Sequence, residues 1–153
     1  MSDDDDDVGF RLPRPEPAES FGIAAGHLTT ALPKLHSNEP SDTWAHALLA
    51  GFAVESMLKS YLSSCGVSVE DLKSPKQFGH DLERLWHAAA DYGMPSDGGL
   101  PDWISQLNRL HGAPFDLRYF PDKHVMVLPR ASTLHGRIME LSRALGEARE
   151  GSD

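Results

Sequence analysis

Residues 41–64, SDTWAHALLAGFAVESMLKSYLSS, form the longest stretch of this chain with helical apolar patterning and no proline inside it. A helix of that length must have its apolar side covered, so the other segments are expected to pack onto it. Trp44, Leu48, Gly51, Phe52, Leu58 and Leu62 recur at spacings of three and four and share one face. Glu55 lies on that same face. A carboxylate in an apolar stripe is costly to bury without a donor, and Lys59 stands one turn later in the favourable order. Two arrangements would satisfy it: a partly exposed ion pair, or a polar cluster facing a second helix.

The length of 153 residues suits one domain with its own core. No apolar run approaches the roughly 20 residues that span a bilayer, and the opening MSDDDDD is acidic where a signal peptide is positive. A cytoplasmic location is the expectation. The single cysteine, Cys65, excludes an intramolecular disulfide and a multi-cysteine zinc site. A net charge of −9 argues against generic nucleic-acid binding, which needs clustered lysine and arginine. Part of that charge is local, in the run from Asp3 to Asp7.

In chain order, residues 1–16 combine that acidic run with RLPRPEP and read as a flexible lead-in. A first helix is predicted from Pro17 to Leu32, ended or kinked by Pro33. The central helix follows, with Ser41 or Thr43 as its N-cap and Gly66 as its stop. VSVEDLKSPKQF reads as a loop. GHDLERLWHAAADYG gives a third helix on Leu82, Leu85, Trp86, Ala89 and Ala90, with His80 and Asp81 at its N-terminal end. Pro101 opens a fourth helix carrying Trp103, Ile104, Leu107 and Leu110, which Gly112 stops. LRYF and HVMVL flank Pro121 and Asp122, a pattern for a hairpin or an ordered extended loop. Leu134, Ile138, Leu141, Leu145 and Ala148 mark a fifth helix ending near Arg149, with residues 150–153 frayed. The predicted fold is an all-α up-and-down bundle of about five helices over residues 17–149.

The chemistry-bearing residues are few. No Gly-rich phosphate loop is present, and neither a His-x-x-x-His nor a Glu-x-x-His pair falls on one helix, so neither cofactor nor metal is expected. His27 and His36 read as ordinary surface or helix-end residues. Arg118 is followed by five residues and then His124; Arg130 is followed by four and then His135. An arginine can neutralise a scissile phosphate while a histidine moves the proton of an attacking ribose 2′-hydroxyl, so either pair would suffice for metal-free RNA cleavage.

FAVESMLKSYL, then GHDLERL, then LRYFPD and a terminal amphipathic helix together resemble the HEPN superfamily of small helical-bundle domains. The resemblance spans residues 17–149 and is most specific at Glu55, Lys59, Gly79, His80, Asp81, Leu82, Arg118 and Tyr119. It implies a homodimer and, in the active members, a metal-independent endoribonuclease of toxin–antitoxin, phage-defence or RNA-processing settings. The implied catalytic residues are Arg118 with His124 or Arg130 with His135, and the implied binding residues are Glu55, Lys59, His80, Asp81 and Tyr119. Either His80 and Asp81 cap a helix and hold it against Glu55 and Lys59, or Glu55, Lys59, His80 and Arg118 converge in one polar pocket for a nucleotide or phosphate. Other members are binding modules. The expectation is therefore an RNA-directed protein, catalytic or RNA/nucleotide-binding only. The alternative is a non-catalytic interaction module that pairs with a partner protein such as an antitoxin or a nucleotidyltransferase.

Overall fold

The proline-free stretch folds as one continuous helix, α2 (Pro40–Ser64), and every other long helix packs on it. The computed structural model describes residues 9, 12–96, 99–113, 115–117 and 126–151. Within them the chain is all-helical: α1 (Ser20–Ala31), α2, α3 (Val69–Lys73), α4 (Leu82–Asp91), α5 (Asp102–His111) and α6 (Ala131–Glu150). Single 3-10 turns, Pro17–Glu19 and Leu32–Leu35, flank α1. Pro33 ends α1 as expected, by tightening its last turn rather than kinking it. No described helix is long and apolar enough to cross a membrane.

The start of α2 differs from the prediction. Pro40 occupies its first turn and Glu39 its N-cap position, with no side-chain cap bond there. Thr43 lies inside the helix, its hydroxyl donating back to the Glu39 carbonyl at 3.0 Å. The residues read as a loop after Gly66 contain α3, capped by the Ser68 hydroxyl, which accepts from the Asp71 amide at 3.1 Å. The hairpin expected around LRYF and HVMVL falls largely on residues 118–125, outside the described residues. Residues 126–130 form no regular structure.

The core is built on more than one face of α2. Leu58 and Leu62 are buried, and so are Ala50, Ala53, Val54, Met57 and Tyr61 around the rest of the helix, because α1, α4, α5 and α6 surround it. Trp44, Leu48 and Phe52, predicted to lie in the central stripe, are only half-buried. Trp44 and Leu48 instead belong to a small second cluster with Ala47, Leu110 and Leu117, over which Met126 and Leu128 lie. The stripe of α6 matches its prediction at Leu134, Ile138, Leu141 and Leu145, all in the main core. This arrangement leaves the middle of α2 facing the N-terminal end of α4 and the C-terminal end of α5, where the polar residues meet.

Candidate functional site

Gly51 sets the geometry. A methyl group at this position would overlap the His111 ring, with Cγ only 2.7 Å away, so glycine lets the last turn of α5 lie directly on α2. His111 then reaches Glu55, one turn further along, and its Nε2 donates to Glu55 Oε1 at 2.9 Å. His80 comes to the same oxygen from the turn before α4, its Nδ1 donating at 2.7 Å. Lys59 Nζ completes the set, 3.3 Å from Oε2. The sequence left open whether Glu55 and Lys59 form a surface pair or a cluster facing another helix. They form a cluster: Glu55 is 8% exposed, Lys59 4% and His111 5%.

Burial alone pushes the Glu55 carboxyl up, but the His111 hydrogen bond, the Lys59 charge and the His80 hydrogen bond outweigh it and hold the group at about 2. Glu55 is therefore an anion throughout the physiological range. A carboxylate only accepts, so the nitrogens facing it, His80 Nδ1 and His111 Nε2, both carry protons. In neutral His80 the free lone pair is then on Nε2. That nitrogen bonds to no described residue, and the His80 side chain is 44% exposed.

Aromatic edges hold both imidazoles. Phe52 stands edge-on to His111 at 4.7 Å between ring centroids, and Phe115 edge-on to His80 at 5.8 Å. Phe115 adopts φ +66°, a left-handed conformation that costs a bulky residue about 1–3 kcal/mol and that marks sites where surrounding structure dictates side-chain placement. Behind His80, Asp81 caps α4, accepting from the Glu83 amide at 3.1 Å and the Arg84 amide at 3.2 Å. Asn108 of α5 ties this cap down, donating to Asp81 at 3.3 Å and accepting from the Leu82 amide at 2.8 Å. Asp81 is thus the cap that the sequence suggested; His80 is not part of it.

A cavity of about 640 Å³ opens over this cluster, with Lys59, Lys73 and Arg84 as its cations and Phe21, Phe78 and Phe115 as its aromatic wall. Three of the four residues expected to converge here, Glu55, Lys59 and His80, do so. The fourth, Arg118, lies outside the described residues, as do Tyr119 and His124. The second Arg/His pair is divided. Arg130 is exposed and lines a different cavity, of about 700 Å³, beside Trp103 and Arg137 and with no histidine among its described lining residues. His135 points elsewhere, its ring packed 4.8 Å from that of His36. Arg130 sits at the N-cap of α6 and His135 in its second turn, on a different side of the helix.

His36 was read as an ordinary helix-end residue. It instead stacks edge-on to both His135 and His46, the latter at 5.3 Å, and its buried Nε2 bonds to no described residue. His111, His46 and Phe115 were not singled out from the sequence at all. One signal pointed to His111: a glycine in mid-helix, a turn before a carboxylate, marks a close approach by another element. The side-chain nitrogens and oxygen of Glu55, His80 and His111 lie within 4.8 Å of one another, and the same holds for His36, His46 and His135. Comparison with protein-family models, curated proteins and solved structures finds no match to this chain.

Proposed function

We propose that the protein is RNA-directed and that a phosphodiester binds in the cavity over Glu55 and His80. One observation carries the reading. His80 is a partly exposed imidazole whose Nδ1 is fixed by a permanent anion, leaving Nε2 as a proton acceptor on the wall of a cavity that also holds Lys59, Lys73 and Arg84. Lys73 is exposed and can meet a phosphate, whereas Arg84, also exposed, is paired with Asp81 and donates to the Lys76 and Gln77 carbonyls, and Lys59 is committed to Glu55. The aromatic wall offers stacking surfaces to bases. In this reading His80 takes the ribose 2′-hydroxyl proton as the 2′-oxygen bonds to phosphorus, the phosphorus to 5′-oxygen bond breaks, and the leaving 5′-oxygen takes a proton from solvent. The resemblance to HEPN domains supports the same direction and adds a cytoplasmic homodimer of toxin or defence type.

The acidic total and the anion on the cavity floor favour a second reading, a non-catalytic module that pairs with a partner protein. A cleavage assay without added divalent metal, run beside RNA-binding titrations, separates the two. His80→Asn is expected to lose about 10²–10⁴-fold in rate with binding retained. Lys73→Ala should weaken binding and flatten its salt dependence. Activity lost in Arg118→Ala or His124→Ala but kept in His80→Asn would move the chemistry to that pair, and joint loss in Arg130→Ala and His135→Ala would move it to α6. Neither cleavage nor binding by folded wild-type protein would leave the module reading standing.

A further inference from the structure

We infer that His36, His46 and His135 form a binding site for one divalent transition-metal ion of the zinc type, tying the start of α6 to α2 and to the turn after α1. The proposal is independent of the RNA reading. Three elements deliver the ligands: His36 follows the 3-10 turn after α1, His46 lies on the second turn of α2, and His135 on the second turn of α6. One nitrogen from each lies within 4.8 Å of the others. A tetrahedral ion with zinc to nitrogen bonds of 2.0–2.1 Å requires separations of about 3.4 Å, so the three nitrogens must draw together on binding.

The hydrogen-bond inventory separates this cluster from the one at Glu55. There, every inward nitrogen has a carboxylate to donate to. Here both nitrogens of His46, Nε2 of His36 and Nδ1 of His135 are buried and bond to no described residue. His46 is 0% exposed, and a neutral imidazole buried with neither donor nor acceptor satisfied is costly to keep. A metal ion resolves the lone-pair part of that cost, taking one lone pair from each ring.

A neutral imidazole offers one nitrogen lone pair to a metal ion. An all-imidazole donor set selects zinc, cobalt, nickel or copper over magnesium and calcium, which require oxygen ligands. Three protein ligands leave a fourth position for water or an anion.

Untagged protein, stripped with chelator and dialysed, should bind one Zn²⁺ per chain in a calorimetric titration. Co²⁺ should give the intense visible absorption of a four-coordinate ion. Zinc at 100 times its dissociation constant should raise the melting temperature by about 5–10 °C. His36→Gln and His135→Gln alter half-buried positions, and each should weaken binding by at least about 100-fold while the helical circular dichroism persists. His27→Gln, at an exposed helix position, should change nothing. Wild-type protein that shows neither saturable binding nor a melting shift would overturn the site and assign its nitrogens to buried water. Binding lost in His80→Gln but kept in His36→Gln would overturn it too, placing the metal at Glu55.

Discussion

Replacing Glu55 with glutamine tests whether the buried cluster is a set of mutually dependent charges. Glutamine keeps one carbonyl oxygen for His80 and His111, but it presents an amide donor or a neutral oxygen to Lys59, which is 4% exposed. The lysine then keeps its charge in a buried place without a counter-ion. Removing one member of a buried ion pair costs about 3–5 kcal/mol, more than the roughly 1–3 kcal/mol for losing an ordinary buried hydrogen bond. For a domain of this size that corresponds to a fall in melting temperature of about 6–20 °C. The double variant Glu55→Gln, Lys59→Met removes the stranded charge and should recover a good part of the loss.

Acid provides an internal check on the same pair. The folded-state carboxyl lies below its ordinary value, at about 2 instead of 4.5, so its contribution is complete above about pH 4.5 and is lost as pH falls through about 2. The shift corresponds to about 3 kcal/mol. Urea unfolding of wild type and Glu55→Gln, stepped from pH 7 to pH 3, should show a stability gap that is constant above pH 4.5 and narrows below it. A Glu55→Gln protein that melts within 2 °C of wild type, or a gap that ignores pH, would refute the argument that Glu55 is held ionised by buried partners.

Two further variants probe how the site is positioned. Gly51→Ala gains about 1 kcal/mol of helix propensity but drives a methyl into His111, 2.7 Å from Cγ, and should destabilise by about 2–4 kcal/mol in urea melts; a more stable variant would show that α5 does not lie against α2 there. Asp81→Ala removes the oxygen that accepts from the Glu83 and Arg84 amides and from Asn108, and should cost about 0.5–2 kcal/mol, whereas Asp81→Asn should retain most of the cap. Equal losses in the two Asp81 variants would assign the effect to charge rather than capping.

The helices were legible wherever a sequence pattern ran for several turns. α4, α5 and α6 came out at nearly their observed bounds because leucine, isoleucine and tryptophan repeat at three and four and because Gly93, Gly112 and the prolines punctuate them. α3 was missed since it is a single turn and a half, stabilised by the Ser68 cap rather than by any period. The face of α2 was read as one stripe when the helix is surrounded, and no one-sided pattern describes a helix covered on several sides. In the site, Glu55, Lys59 and His80 were readable from local relations: a turn's separation for the first two, and a helix start for the third. His111 and the His36, His46 and His135 group depend on which helices cross, and spacing along one helix carries no information about that.

The two polar clusters share one helix, and their placement follows from its pitch. His46 and Glu55 are nine residues apart on α2, which is two and a half turns, so they project to opposite sides. One side meets α4 and α5 through His80 and His111; the other meets α6 and the turn after α1 through His135 and His36. Bundle helices that present only leucine and alanine to one another can slide or rotate at little cost, whereas a buried polar group finds its partner in one register only. Glu55 therefore fixes how α4 and α5 cross α2, and the three histidines fix where α6 begins. The clusters differ in what completes them. The Glu55 group is closed by its own donors; the histidine group has no partner for its lone pairs among the described residues and, in the inferred site, gives them to a metal ion. Acid in the absence of metal should therefore loosen both sides, the histidine side first because burial holds His46 at about 4 in the fold against 6.5 in the open chain, and metal should tighten the α6 side without altering the Glu55 response.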